Sequence, residues 1–269
     1  MKITVLIENT TADSALRCEH GLSLHIETED HRILFDMGQT DAFADNAQAM
    51  GVDLAAVDLA VLSHGHYDHG GGLARFLEIN PGAPVYLSQH AFEPHYNGTD
   101  KYIGLDLSLE ESDRWIFTAM DVGLDQGIYL YMAEGREGSY PLDPAGLKMV
   151  AEELSLENQI LVPEDFHHEQ YLMIHEKGKR ILFSGCSHRG ILNIMEWFRP
   201  DILIGGFHFS KIDPDGEEKY RLDQAAEILS KYDCIYYTCH CTGLRQYDYL
   251  KEKLGEQLHY LATGQVLHL

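Results

Sequence analysis

The sequence predicts an α/β fold, and three observations carry that prediction. Short apolar runs at residues 3–7, 57–62, 201–206 and 234–238 alternate with helical stretches along most of the chain. Histidine-bearing turns at His64, His188, His208 and His240 stand at the ends of such runs, and α/β proteins assemble their sites along strand ends at one sheet edge. No Ser/Gly/Pro-rich linker, low-complexity tract or internal repeat divides the 269 residues, so a single domain over 1–269 is expected.

Ile3-Thr4-Val5-Leu6-Ile7 is an apolar strand. Leu22-Ser23-Leu24-His25-Ile26-Glu27 alternates with period two, as a strand with one wet face does. Glu29-Asp30-His31 turns the chain into Ile33-Leu34-Phe35. Residues 41–50 are alanine-rich, with no breaker before Gly51, and read as a helix. A buried strand over 57–62 then delivers a polar turn. A helix over 73–79 is stopped by Asn80-Pro81-Gly82, and Val85-Tyr86-Leu87-Ser88 is the next strand.

From about 91 to 146 the pattern loosens, and Tyr96, Tyr102, Trp115, Phe117, Tyr129 and Tyr131 lie among glycines and acidic residues. This stretch is expected as an inserted lid or an oligomer contact, such as that of a homodimer, with ordinary core strands and long turns as the alternative. Beyond it, Gln170-Tyr171-Leu172-Met173-Ile174-His175 and Arg180-Ile181-Leu182-Phe183-Ser184 pair across a Lys177-Gly178 turn. Helices over 190–198, 219–231 and 244–254 alternate with strands over 201–206 and 234–238, and residues 260–269 supply a last strand or two.

Twenty Lys and Arg face 43 Asp and Glu, a formal charge of -23, and such a surface repels nucleic-acid phosphates. No apolar run approaches a membrane span, and the N-terminus is too short and strand-like for a signal peptide. Five cysteines, an odd number, argue against a complete disulfide framework and for a reducing, cytoplasmic setting. Cys18, Cys234 and Cys239 read as small buried residues, whereas Cys186 and Cys241 crowd candidate ligands.

The chemistry concentrates in His64-Gly65-His66-Tyr67-Asp68-His69, between apolar Ala60-Val61-Leu62 and Gly70-Gly71-Gly72. Imidazole nitrogen and carboxylate oxygen are the ligands of borderline divalent metals. An extended pair at i and i+2 points His64 and His66 the same way, and after the chain bends Asp68 and His69 can face a second position. A metal centre with room for two ions is expected, and with it an enzyme acting on a small molecule.

That pattern, after an apolar strand, resembles the signature of the metallo-β-lactamase superfamily, and Arg32-Ile33-Leu34-Phe35-Asp36-Met37-Gly38 resembles its earlier strand ending in Asp and Gly. Glu19-His20-Gly21-Leu22-Ser23, Gly185-Cys186-Ser187-His188-Arg189-Gly190, Gly205-Gly206-Phe207-His208 and His240-Cys241-Thr242-Gly243 look like a subfamily related to dihydropterin/ribofuranosylaminobenzene phosphate synthase. The resemblance implies a four-layer αββα sandwich: two mixed sheets face to face, helices on the outer faces, and the metal cleft along one rim. It also implies that His64 and His66 share one ion with a downstream histidine. Asp68 and His69 would share another with His240. His188 is the preferred third ligand of the first ion, with His167 and His168 as competitors where many members place Pro-Gly-His.

This chain departs from the family at Gly185-Cys186, where hydrolytic members carry Gly-Asp and the Asp bridges two metals. Either the Cys186 thiolate replaces that carboxylate or His188 serves without a bridge. His66 stands where flavodiiron reductases carry Glu, against that redox branch. His20 and His208 are candidate substrate contacts or supports of the ligands.

The resulting expectation is a hydrolase of a small ester, phosphoester or pterin-related substrate. One or two divalent ions, zinc foremost and iron or manganese as alternatives, supply hydroxide, and Asp68 takes or orients the proton. The rivals are a pterin- or folate-related transferase or synthase and a non-hydrolytic metal-binding or redox module.

Overall fold

The computed structural model describes residues 1–155 and 158–269. In chain order the strands are β1 (Lys2–Ile7), β2 (Ser23–Glu27), β3 (Arg32–Phe35), β4 (Leu59–Val61), β5 (Val85–Ser88), β6 (His95–Asn97), β7 (Lys101–Tyr102), β8 (Trp115–Thr118) and β9 (Val122–Asp125). They continue as β10 (Ile128–Met132), β11 (Leu147–Ser155), β12 (Asn158–Pro163), β13 (Gln170–Glu176), β14 (Lys179–Ser184), β15 (Ile202–Gly205), β16 (Ile235–Thr238), β17 (Leu258–Tyr260) and β18 (Val266–His268). The helices are α1 (Ala42–Ala49), α2 (Tyr67–Gly70), α3 (Leu73–Ile79), α4 (Ile191–Phe198), α5 (Lys219–Leu229) and α6 (Leu244–Leu254).

One seven-stranded sheet runs β18-β1-β2-β3-β4-β5-β8 and the other β17-β16-β15-β14-β13-β10-β9. Both are mixed. In the first, β3, β4, β5 and β8 are parallel neighbours and the other pairs antiparallel. In the second, β14 to β17 are parallel and the rest antiparallel.

Between the sheets lies one apolar layer, with Ile3, Val5, Leu24, Ile33, Phe35 and Val61 facing Leu130, Leu172, Ile174, Ile181, Phe183 and Ile204. Each such side chain contributes about 1.5–3 kcal/mol when fully buried. The outer face of the first sheet is covered by Phe43 and Ala47 of α1 and Leu73 and Phe76 of α3. Helix α4 presents Ile191, Ile194, Met195 and Phe198, spaced at helical period, to the outer face of the second sheet, where Leu222 and Leu229 of α5 and Leu250 and Leu254 of α6 join them. The result is the four-layer αββα sandwich.

The strand expected over 57–62 and the loose stretch over 91–146 take definite form. The strand expected over 57–62 narrows to Leu59–Val61, because Leu54–Ala56 forms a 3-10 turn whose first amides are capped by Asp53, with Ala55 N donating to Oδ1 at 3.0 Å. The stretch 91–146 is shared among three sheets. β8 closes the edge of the first sheet, β9 and β10 that of the second, and β6 and β7 join a small antiparallel sheet in the order β12-β11-β6-β7. Ile103, Leu147 and Phe166 anchor that small sheet, with Tyr67 packed against them. No helix among the described residues is long and apolar enough to cross a membrane.

Candidate metal centre

The site is assembled at the carboxyl ends of parallel strands from both sheets. His64, His66, Asp68 and His69 follow β4, Cys186 and His188 follow β14, His208 follows β15, and His240 follows β16. The backbone is tightly bent at several of these ends. Asp36, Ser187, His208 and His240 have φ of 58°, 57°, 56° and 48°, a left-handed conformation uncommon for residues other than glycine. Gly185 is obligatory for a different reason: a Cβ there would lie 2.1 Å from Ser63 Oγ, where the two sheets meet.

The hydrogen bonds fix the ring tautomers. Buried Asp36 accepts from Ser63 N at 2.7 Å and Ser63 Oγ at 2.8 Å, and His69 Nδ1 lies 2.6 Å from its Oδ2. Because Ser63 spends its proton on Asp36, it accepts from His64 Nδ1 at 2.8 Å. His240 Nδ1 donates to Asn9 Oδ1 at 2.9 Å, and Glu8 Oε1 accepts from the His240 amide at 2.7 Å. Each of these three imidazoles thus has its Nδ1–H committed outward and its Nε2 turned inward.

The inward nitrogens meet at separations that only a proton or a cation relieves. His64 Nε2 is 3.3 Å from His188 Nε2, and His69 Nε2 is 3.2 Å from both His240 Nε2 and Cys186 Sγ. Asp68 Oδ2 stands 3.2 Å from His240 Nε2 and 3.2 Å from His20 Nε2. Donor atoms of His64, His66 and His188, of His64, His69 and Cys186, and of Cys186, His240 and Cys241 each fall within 4.8 Å of one another. The nitrogens His66 Nε2 and His188 Nδ1 are buried without any partner. An N/O donor set edged by sulfur fits a borderline divalent ion, and these residues would hold one or two.

The electrostatics point the same way. Burial pushes His64, His66 and His188 well below the ordinary imidazole pKa, so they are neutral, as ligation requires. Burial alone would raise Asp68, but the neighbouring His69 and hydrogen bonds from His20 and His240 hold it well below the usual carboxylate range. Asp68, expected to take or orient the proton, is thus held as the carboxylate, the form that can ligate a metal. His20 at the exposed rim is raised by its hydrogen bond to Asp68. Burial and the Cys241 sulfur push the Cys186 thiol up. Against its own burial, Cys241 is held down by hydrogen bonds from Cys186 and His208 and by the charge of His240.

His69 is the exception among the buried rings. Burial opposes its protonation, yet Asp36 and Asp68 outweigh it and raise the pKa to about 9. In the metal-free protein this pair contributes stability fully below pH ~6.5, and the contribution is lost as pH rises through about 9. A metal at His69 Nε2 must displace that proton. Binding there at pH 7 is expected to release about one proton, and about two if the Cys186 thiol also ligates. Calorimetry in buffers of different ionisation enthalpy counts them, and zero release would remove His69 from the ligand set.

Of the sequence-derived candidates, the structure brings together His64, His66, Asp68, His69, Cys186, His188 and His240, with His20 and His208 on the cleft wall. His208 packs against His188 at 4.3 Å between ring centroids, the two rings tilted by 56°, and its Nδ1 is buried without a partner. Of the two competitors for the third ligand, His167 is held by Glu93 and Asp165 at 2.9 and 2.6 Å, and His168 Nδ1 accepts the Gly65 amide at 2.8 Å. Cys234 and Cys239 are buried as expected, whereas Cys18 is exposed. The sequence does not single out Asn9 and Glu8, since nothing marks a polar residue as the partner of a histidine far away in the chain, nor Ser63, whose role depends on the distant Asp36 taking its proton.

The cleft encloses about 150 Å³ and carries Lys101 and Lys211 among its walls. Beside it, sharing His188 and His208, opens a cavity of about 360 Å³ lined by Tyr140, Leu142, Phe207, Phe209, Tyr220 and Arg221 among others.

Comparison with known proteins places this geometry. The sequence model of the Metallo-beta-lactamase superfamily matches residues 16–240. The 7,8-dihydropterin-6-methyl-4-(beta-D-ribofuranosyl)-aminobenzene-5'-phosphate synthase of Methanocaldococcus jannaschii is 28% identical over 296 residues, covering 99% of this chain and 96% of its own. A solved metal-dependent hydrolase of the beta-lactamase superfamily superposes with a TM-score of 0.80 at 26% identity, over 100% of this chain and 99% of its own. Zinc-bound PqqB from Methylobacterium extorquens shares the fold, with a TM-score of 0.59 at 14% identity over the full length of both chains. The chain therefore belongs to the metallo-beta-lactamase superfamily.

Proposed function

We propose that this protein is a metal-dependent hydrolase of a small anionic ester, foremost a phosphoester. The observation that carries the reading is the pair of facing imidazole contacts, His64 with His188 and His69 with His240, around the Asp68 carboxylate. A bound divalent ion lowers the pKa of its water towards ~7 and so supplies a nucleophile at neutral pH.

The protein's own residues do the rest. Asp36, Ser63 and Asn9 lock the ring orientations. His20 shares Asp68 Oδ2 from the rim and is placed to carry a proton between the cleft and solvent. Lys101 and Lys211 bring positive charge to the mouth of an otherwise acidic protein, which favours a substrate carrying negative charge. His208, on the wall shared by cleft and cavity, is positioned to donate to a substrate oxygen as charge develops there.

Protein loaded with zinc, manganese or iron and offered a panel of small esters, phosphoesters and pterin-related compounds is expected to hydrolyse phosphoesters, and to lose turnover on chelation. A full panel without metal-dependent turnover removes the proposal. A second reading, a synthase acting on a pterin-related ring, is favoured by the end-to-end similarity to the Methanocaldococcus jannaschii enzyme and by the aromatic cavity, where a ring can stack. A thermal shift with pterins but not with phosphoesters would favour it.

A further inference from the structure

Beyond His66 lies a group of buried polar side chains that the hydrolytic reading leaves idle. His95 at the start of β6, Glu164 just past β12 and His168 just before β13 are all essentially inaccessible, and none lines the cleft. Their donor atoms and one of His66 lie within 4.8 Å of one another. Three imidazoles and a carboxylate are a donor set that zinc accepts, but the hydrogen bonds point elsewhere.

His168 Nδ1 accepts the Gly65 amide at 2.8 Å, so its own proton sits on Nε2, and a protonated nitrogen has no lone pair for a metal. That Nε2 is 3.8 Å from Glu164 Oε1. Glu164 Oε2 in turn lies 2.7 Å from His95 Nδ1, which donates to it. With Glu164 holding a proton on Nδ1, Nε2 is the His95 nitrogen left to act as an acceptor. That atom and His66 Nε2 are both buried without a partner, and the two rings meet edge to face at 5.4 Å and 80°. One lone pair and one unassigned ring nitrogen thus belong to the same buried cluster, each without a partner. Leaving a buried polar group unpaired costs about 1–3 kcal/mol.

We propose that Glu164 and His95 are positioning residues for His66: Glu164 fixes the His95 tautomer, and His95 Nε2 accepts from His66 Nε2–H, leaving His66 Nδ1 as the nitrogen that binds metal beside His64 and His188. The chain carboxylate–imidazole–imidazole is one link longer than the usual carboxylate–histidine support of a metal ligand. It rests on the assignment of His66 to the metal centre.

The test compares His95→Phe, which fills the space without an acceptor, with His95→Gln, whose amide can accept from His66 while donating to Glu164. Zinc affinity, measured by competition with a chromophoric chelator, is expected to fall ~10–100-fold in His95→Phe and to stay near the wild-type value in His95→Gln. Long-range nitrogen–proton NMR of the metal-free wild-type protein is expected to place the His66 proton on Nε2, and of His95→Phe to show both tautomers.

Equal losses in the two variants would mean that His95 acts through packing and would overturn the proposal. A His66 proton found on Nδ1 in the wild type would overturn it even if the phenylalanine variant failed to fold. An ion that survives His64→Ala but not Glu164→Gln would make the cluster a metal site in its own right, against the proposal. If the wild type binds no metal at all, the metal reading fails on its own, while the NMR tautomer still decides the relay.

Discussion

Replacing His66 by alanine is expected to abolish metal-dependent turnover and to empty the position it shares with His64 and His188. Its ring lies 4.6 Å from that of His64 and 4.9 Å from that of His188, nearly perpendicular to both. No neighbouring imidazole can take its place, because His168 is committed to Gly65 and His95 to Glu164. The loss should exceed the ~10–100-fold that follows removal of a partner outside the ligand set. The metal-free fold should lose only about 1–3 kcal/mol, the cost of leaving buried His95 Nε2 without the donor inferred for it. Metal content, turnover and melting of the chelated protein separate these effects. Unaltered zinc stoichiometry in the variant would strike His66 from the ligands.

Asp36→Ala should act in the opposite order, on the fold first and the metal second. The fully buried carboxylate takes hydrogen bonds from Ser63 N, Ser63 Oγ and His69 Nδ1. Removing it strands all three donors and breaks a buried ion pair, a loss of about 3–5 kcal/mol. His69 also loses what orients it and raises its pKa, so the variant should bind metal more weakly yet release less proton on binding. Urea denaturation of the metal-free protein reads the first effect, and calorimetry the second. A midpoint within error of wild type would mean that water fills the space and satisfies the donors.

The sandwich was legible because its main elements carry their own signals. Residues 85–88 and 244–254 fall where β5 and α6 do, and the apolar period of α4 matches the face it buries. The small sheet was not legible: β6 and β7 are three and two residues long, too short for any alternation to register, and β11, which pairs with β6, lies some fifty residues on. The histidine-rich turn announced a metal-binding centre because four donors sit in six residues. Its supports were silent for the converse reason. Glu164 reaches His95 across 69 positions and Asn9 reaches His240 across 231, and neither carries a local pattern that a sequence could display.

The candidate ligands are divided between the two sheets, four in the turn after β4 and the others after β14 and β16. Neither half of the chain carries a complete set. Loading an ion and holding the mouth of the sandwich shut are then one equilibrium, related by the free energy of binding. An ion here would act as a rivet through the seam as well as a reagent within it, and a change that pried the layers apart at the rim would be felt as weakened metal affinity.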